Sequence, residues 1–156
     1  SRSWHLTKPD GSPASHFLLT VVRQPTEMNT PEYNPDNSQD FGFSPAVRAG
    51  DLLFVSGQVG LEPDGTVPKD PERQFTLAFA ALGKVLREAG CDAGDIVELM
   101  SFHTNYPAQM DIFLKAKAAF QGRALPAWTA VGVAALGYPD TLVEIKAIAR
   151  VRETRR

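Results

Sequence analysis

Few residues in this chain stand at spacings that could do chemistry. Cys91 is the single cysteine, so neither an internal disulfide nor a zinc cluster built on thiolates can form. It follows a helix-ending glycine with no cation beside it in sequence, which favours an inert thiol. His103 alternates with Phe102 on a strand-like stretch, and a lone histidine there is expected to be a hydrogen-bonded structural residue. No histidine and glutamate fall at metal-ligand spacing, so neither a metal nor another cofactor is expected. Gly57, Gly60 and Gly65 lack the Lys-Ser/Thr ending that a phosphate-cradling loop requires. Two residues remain. Glu144 interrupts an apolar final segment, where its plainest role is a strand-edge carboxylate paired with Lys146 or Arg150. Trp128 opens an apolar stretch, where its plainest role is core.

The elements that must position these residues begin near residue 44. Residues 1–43 carry Pro9, Pro13, Pro25, Pro31 and Pro35 with little periodicity. Residues 1–42 are read as an N-terminal extension, of which 1–27, ahead of Met28, are expected to be an added expression leader or a loosely attached segment. Residues 43–156 are read as one domain. Ala46–Arg48 and Leu52–Ser56 read as strands around the turn Ala49-Gly50-Asp51. Glu62-Pro63-Asp64-Gly65 is a turn. Asp70 caps a helix that has Pro71 at its first position, and Gly90 ends it. Phe75, Ala78, Phe79, Leu82, Val85, Leu86 and Ala89 form its apolar stripe. Burying the two phenylalanines, two leucines and valine contributes on the order of 10 kcal/mol before entropy is subtracted.

Ile96–Thr104 reads as a strand with imperfect alternation, so both its faces are expected to be partly covered. Asn105 and Pro107 are expected to start a second helix, with Met110, Phe113, Leu114, Lys117 and Phe120 on one side. Trp128–Ala134 and Thr141–Val151 read as strands around the turn Gly137-Tyr138-Pro139-Asp140. In the last strand Val143, Ile145, Ala147, Ala149 and Val151 share one purely apolar face. Leu142, Glu144, Lys146, Ile148 and Arg150 share the other, a mixture that suits burial by a partner with polar groups at its margin. The expected class is α+β: a mixed sheet with two helices on one face. No third helix is left to cover the other face, so self-association is expected.

The bulk numbers narrow the function. The chain has 156 residues, 43% hydrophobic and 22% charged, with a formal net charge of −2. That is one globular domain without the basic stripe of a nucleic-acid binder. The cluster Arg150, Arg152, Arg155, Arg156 is read as a solvated chain end. No apolar run approaches the ~18 residues of a membrane span, and Phe17–Val22 is shorter than the roughly 7–15 residues of a signal-peptide core. No membrane partner is expected, and the chain is read as cytoplasmic.

Several stretches together resemble the RidA/YjgF family (reactive intermediate deaminases, also called endoribonuclease L-PSP). They are 43–51 with 53–58, the helix from Phe75 to Gly90 followed by Cys91, Ser101-Phe102-His103-Thr104, Pro126-Ala127, and 143–149. The run from Pro126 to Val133, with Trp-Thr-Ala-Val-Gly-Val inside it, looks like the YjgH-type branch. The resemblance implies a chorismate-mutase-like fold, a homotrimer whose three sheets form a central barrel, and a small-molecule cleft between subunits. It also implies hydrolysis of reactive imines and enamines, such as 2-aminoacrylate, to a 2-keto acid and ammonia. Such a reaction needs a group that holds the substrate and an acid/base that positions water.

The resemblance gives Glu144 the water-positioning role. The carboxylate-gripping arginine of the family is replaced here by Trp128, which carries one indole N–H and no charge. Phe43 stands where a tyrosine is frequent, Thr129 replaces a serine, and Ala130 stands where a cysteine is common. Ser56 and Gly57 are kept. Phe43, Ser56, Gly57, Trp128 and Thr129 are therefore the expected substrate-binding residues, in a pocket more apolar than the family's usual one. Two functions follow from this pattern. One is a deaminase for an imine or enamine other than the standard 2-imino acid. The other is a non-catalytic trimer that binds or senses a metabolite. The slightly acidic charge and the lack of a basic groove argue against ribonuclease activity.

Overall fold

The computed structural model describes residues 21–22 and 42–152. The expectations about residues 1–27, apart from Val21 and Val22, and about Arg155 and Arg156 lie outside them. Local signals set the first helix, α1 (Pro71–Glu88). The Asp70 carboxylate accepts the Arg73 N–H at 3.2 Å, satisfying one of the amide donors that a helix start leaves free. At the other end Gly90 takes φ +74°. The Gly90 amide donates to Arg87 O at 3.0 Å and the Cys91 amide to Leu86 O at 2.8 Å, which ties off the last carbonyls. The expected stripe is the buried one: Phe75, Ala78, Phe79, Leu82, Val85 and Leu86 are all in the core.

The strands are β1 (Val21–Val22), β2 (Ala46–Ala49), β3 (Leu52–Gln58), β4 (Ile96–His103), β5 (Ala127–Gly132) and β6 (Val143–Arg150). They form one mixed sheet in the order β1-β2-β3-β6-β4-β5. The β1–β2 and β4–β5 pairs are parallel and the other three antiparallel. The second helix, α2 (Met110–Gln121), packs with α1 over one face of this sheet. Leu53 and Val55 of β3, Leu99 of β4, and Val143, Ile145, Ala147 and Ala149 of β6 point into the core beneath the helices. The expected division of the last strand holds, with buried residues alternating with half-buried or exposed ones.

In-register partners share a face. The alternate set therefore lines the side away from the helices: Phe54 beside Ile148, Met100 beside Lys146, Phe102 beside Glu144. That face is apolar and open. Val47 is 44% and Phe54 42% exposed, well above what an internal position shows.

Two expectations about α2 are corrected. The helix starts at Met110, not at Asn105 or Pro107. Residues 105–109 form turns, with the Ala108 amide donating to Asn105 O at 2.9 Å and the Met110 amide to Pro107 O at 3.1 Å. Leu114 is 43% exposed and lies off the packed face. That face is Met110, Phe113, Ala116 and Phe120, with Ile112 also against the core. The last two strands of the chain begin or end a residue or two from the expected positions, at Ala127 to Gly132 and Val143 to Arg150.

Gln74, buried on the first turn of α1, joins separate parts of the fold. Its side-chain amide donates to Pro68 O at 3.1 Å, and its side-chain carbonyl accepts the Leu142 amide. A Cβ at Gly60 would stand 1.9 Å from Gln74 O, so only glycine allows this close approach of loop and helix. The Tyr138 hydroxyl donates to Gly65 O at 3.0 Å and closes the same corner.

Candidate functional site

Glu144 lies on the open face at the point where β3 is irregular. Val55 pairs with Ala147, but Gln58 pairs with Ile145, so Ser56 and Gly57 bulge opposite Lys146. The Glu144 side chain occupies the space this leaves. A Cβ on Gly57 would be 1.8 Å from Glu144 Oε1 and 2.6 Å from its carboxyl carbon. Gly57 is thus the floor on which the carboxyl rests. The anticipated pairing with Lys146 or Arg150 does not fill the carboxylate's bonding capacity. Arg150 goes to Asp51 at 3.6 Å, and Lys146 acts only as a nearby charge. Among the described residues no hydrogen-bond donor reaches Glu144. Burial holds its carboxyl above the usual carboxylate range, and Lys146 opposes this only in part.

The segment from Phe43 to Pro45 is pinned beside the bulge. Ser56 Oγ donates to Ser44 O at 2.6 Å, and the Ser56 amide donates to Pro45 O at 2.8 Å. The Ser56 hydroxyl thereby anchors the chain that carries Phe43, itself 39% exposed. Phe43, Ser56, Gly57 and Glu144 are brought to one region. Thr129 is exposed on the same face of the sheet, two strands away, in the row formed with Met100 and Lys146.

Trp128 lies on the opposite face. It pairs with Leu99, whose other partner is Ala147, and so points toward the helices. Its Nε1 donates to Ser101 Oγ at 3.0 Å. Ser101 Oγ in turn lies 2.8 Å from His103 Nε2. The indole stacks on Phe113 with centroids 6.1 Å apart, and Lys117 Nζ sits 4.5 Å above it. Such a cation–π contact is worth about 0.5–2 kcal/mol. Within one chain Trp128 and Glu144 therefore lie on opposite faces of the sheet and do not line one cleft.

His103 meets its expectation. It is buried, bonded to Ser101 and edge-on to Phe113 with centroids 4.6 Å apart. Burial lowers its pKa, which keeps it neutral. Cys91 is buried as well, and its thiol is pushed up first by burial and then by Asp95 and Asp92. The sequence reading overlooked Lys117 as a partner of Trp128, and Ser101 as the link to His103. The parity of Leu99, Ser101 and His103 along one strand was the available signal for the second. No helix among the described residues is long and apolar enough to cross a membrane, and these residues hold no group of three or more potential metal ligands.

This sheet with its two helices on one side matches a known family: the endoribonuclease L-PSP model covers residues 37–151, and the chain belongs to that family, called RidA/YjgF above. Among its relatives is the RutC family protein YjgH of Escherichia coli, 47% identical over 112 residues that span 71% of this chain and 84% of that protein. A solved structure of a protein named YJGH superposes with a TM-score of 0.68 at 37% identity, covering 90% of this chain and 99% of that one. The mouse 2-iminobutanoate/2-iminopropanoate deaminase is 37% identical over 69% of this chain and 79% of its own length. The structure of E. coli TdcF with bound serine matches with a TM-score of 0.65 at 30% identity, covering 71% of this chain and 88% of that one.

Proposed function

We propose that this chain works as a cytoplasmic homotrimer that holds a small molecule in each cleft between subunits, where Glu144 positions water to hydrolyse an imine or enamine. The observation that carries this reading is Glu144 itself: a half-buried carboxyl, raised in pKa, without a salt bridge among the described residues, laid over a glycine on the open face of the sheet. The names of the mouse deaminase and the serine bound to TdcF support small-molecule chemistry in this family. The open apolar face around Val47 and Phe54 supports burial of that face in an assembly.

In the proposed reaction ionised Glu144 takes a proton from water as the water oxygen bonds to the imine carbon. The carbon–nitrogen double bond becomes single. The proton then passes from the carboxyl to the nitrogen, giving a carbinolamine; the carboxylate next takes the hydroxyl proton and delivers it to the nitrogen, so that the carbon–oxygen bond becomes double as the carbon–nitrogen bond breaks, ammonia leaves and a carbonyl compound remains. A carboxyl whose pKa is raised toward neutrality serves both steps better than a strongly acidic one. Because the arginine position is held by Trp128, whose N–H is already bonded to Ser101, the preferred substrate is not the standard 2-imino acid held by a guanidinium fork.

The test is turnover of a panel of enzymatically generated imines by the parent and by Glu144→Ala. Equal rates remove Glu144 from the mechanism. A second reading, a non-catalytic metabolite-binding trimer, is favoured by the tight packing of Trp128, which leaves no guanidinium fork for catalysis. It predicts ligand binding with no turnover across the panel. Trp128→Arg discriminates further when combined with Lys117→Met, since the new guanidinium otherwise faces the Lys117 ammonium. Gain of 2-imino acid deamination in that double variant identifies a competent catalytic cleft.

A further inference from the structure

Counting donors and acceptors beside Trp128 fixes the tautomer of a buried histidine. The indole Nε1–H can only donate, so Ser101 Oγ accepts it at 3.0 Å. Ser101 is fully buried and has one proton of its own to place. Its other partner is His103 Nε2 at 2.8 Å, and the side chain has no third. Ser101 therefore donates to Nε2, which is the bare nitrogen of the ring, and the imidazole carries its proton on Nδ1. The opposite tautomer would aim two N–H groups at one oxygen and leave a buried hydroxyl proton without an acceptor. Nδ1 has no partner among the described residues, yet the buried side-chain polar atom left unpaired there is Gln121 Oε1. Nδ1 therefore reaches water.

A second proton on the ring would go to Nε2 and turn it from acceptor to donor. The same conflict then arises at Ser101, so the relay from Trp128 through Ser101 to His103 is satisfied only while the imidazole is neutral. No charged group faces the ring to favour either form. Tyr106, in the turns before α2, has its ring 6.1 Å away. Lys117 of α2 lies over the Trp128 ring, and Glu144 of β6 points to the other face of the sheet. Gly132 of β5 and Val143 of β6, which pair with His103, carry no charge. Phe113 covers the ring edge-on, and α1 presents Phe75 and Phe79 to Phe113. Burial alone holds the imidazole below its ordinary value of 6.5.

We propose that Ser101 and His103 form a proton-operated latch on Trp128: the neutral imidazole holds the indole against Phe113, and protonation releases it. The latch stands apart from the hydrolysis proposed above, since it needs neither Glu144 nor a bound ligand. What it controls is the start of an edge strand. β5 pairs with β4 alone among the described strands, so a freed Trp128 loosens the strand that also bears Thr129.

The chain has two tryptophans, so in a Trp4→Phe background Trp128 is the sole indole. The full chain in this background, isotope-labelled at nitrogen, is followed by NMR as the pH is lowered from about 8 to about 4.5, a range that spans histidine ionisation. At the start His103 is expected to carry its proton on Nδ1, and the Trp128 indole N–H to exchange slowly with water. On acidification that exchange is expected to quicken by roughly tenfold or more, the worth of one hydrogen bond. Its midpoint should coincide with the ionisation of His103, below 6.5, while the backbone amides of β6 stay protected. A proton on Nε2 at the start overturns the latch. So does a His103 that stays neutral throughout, or an indole N–H whose exchange ignores its ionisation. Loss of indole and β6 protection in one common transition overturns it as well, since that is global unfolding. His103→Gln keeps a side-chain carbonyl to accept from Ser101 but cannot titrate. Its indole N–H is expected to stay slow at every pH, and an acid response like the parent's also rejects the latch. If that variant misfolds, the parent titration decides alone.

Discussion

At Glu144 the folded chain holds a proton more tightly than the unfolded chain, because burial penalises the ionised form. The sign of the consequence follows from linkage. The native state binds the extra proton, so the contribution of Glu144 to stability falls as pH rises above the unfolded carboxyl value of about 4.3. Glu144→Gln does not titrate. Its melting temperature relative to the parent is therefore expected to increase as pH rises above about 4, until the folded carboxyl is fully ionised. Parallel melting curves across that range would place the strain elsewhere. Gly57 offers a second test at this scale. Gly57→Ala keeps every titratable group but inserts a carbon 1.8 Å from Glu144 Oε1, so the carboxyl must move. Turnover is expected to fall roughly 100-fold, and stability by about 1–3 kcal/mol. Steady-state kinetics and urea melts on the same protein check both. Glu144, Ser56 and Gly57 could be picked out along the chain because each stands in a distinctive local run. The company that Trp128 keeps could not, because Lys117 and Ser101 come from other elements and meet it only once the sheet and α2 are stacked.

The helices and strands were the more readable scale, since caps and periodicities are local properties. Asp70, Pro71 and Gly90 bound α1 where their backbone preferences require. Alternation along β6 divided its two faces correctly. Prolines misled in front of α2. Asn105 and Pro107 carry the signal of a helix start, but the chain still turns there and becomes helical only at Met110. Leu114 suits the helical spacing and yet is exposed, because the packed face of α2 is centred on Phe113, which meets both Phe75 and Phe79. Strand order was not readable at all: β6 inserts between β3 and β4 through contacts distant in sequence. The glycine cap makes the element-scale prediction. At φ +74° a Cβ is unfavourable, and Gly90→Ala is expected to cost about 1–2 kcal/mol in a urea melt. Space is no obstacle, since a Cβ there meets nothing within 4 Å, so the loss isolates the backbone cost.

Across the whole molecule, one face of the sheet is sealed by helices and the other leaves Val47 and Phe54 open. If that face closes against further copies, mass action makes stability depend on protein concentration. The melting temperature is then expected to rise by a few degrees per hundredfold increase in concentration, and native mass to be three times the 17.0 kDa chain. A concentration-independent melt of a 17.0 kDa particle contradicts the assembly. The buried side chain of Gln74 has a different consequence. Through one residue the 60–68 loop and the start of β6 share a single mechanical joint, two positions upstream of Glu144. The deuterium uptake of the Leu142 amide is thus a gauge of how firmly the carboxyl's own strand is held. Gln74→Ala would slacken that strand without altering any group that faces a ligand.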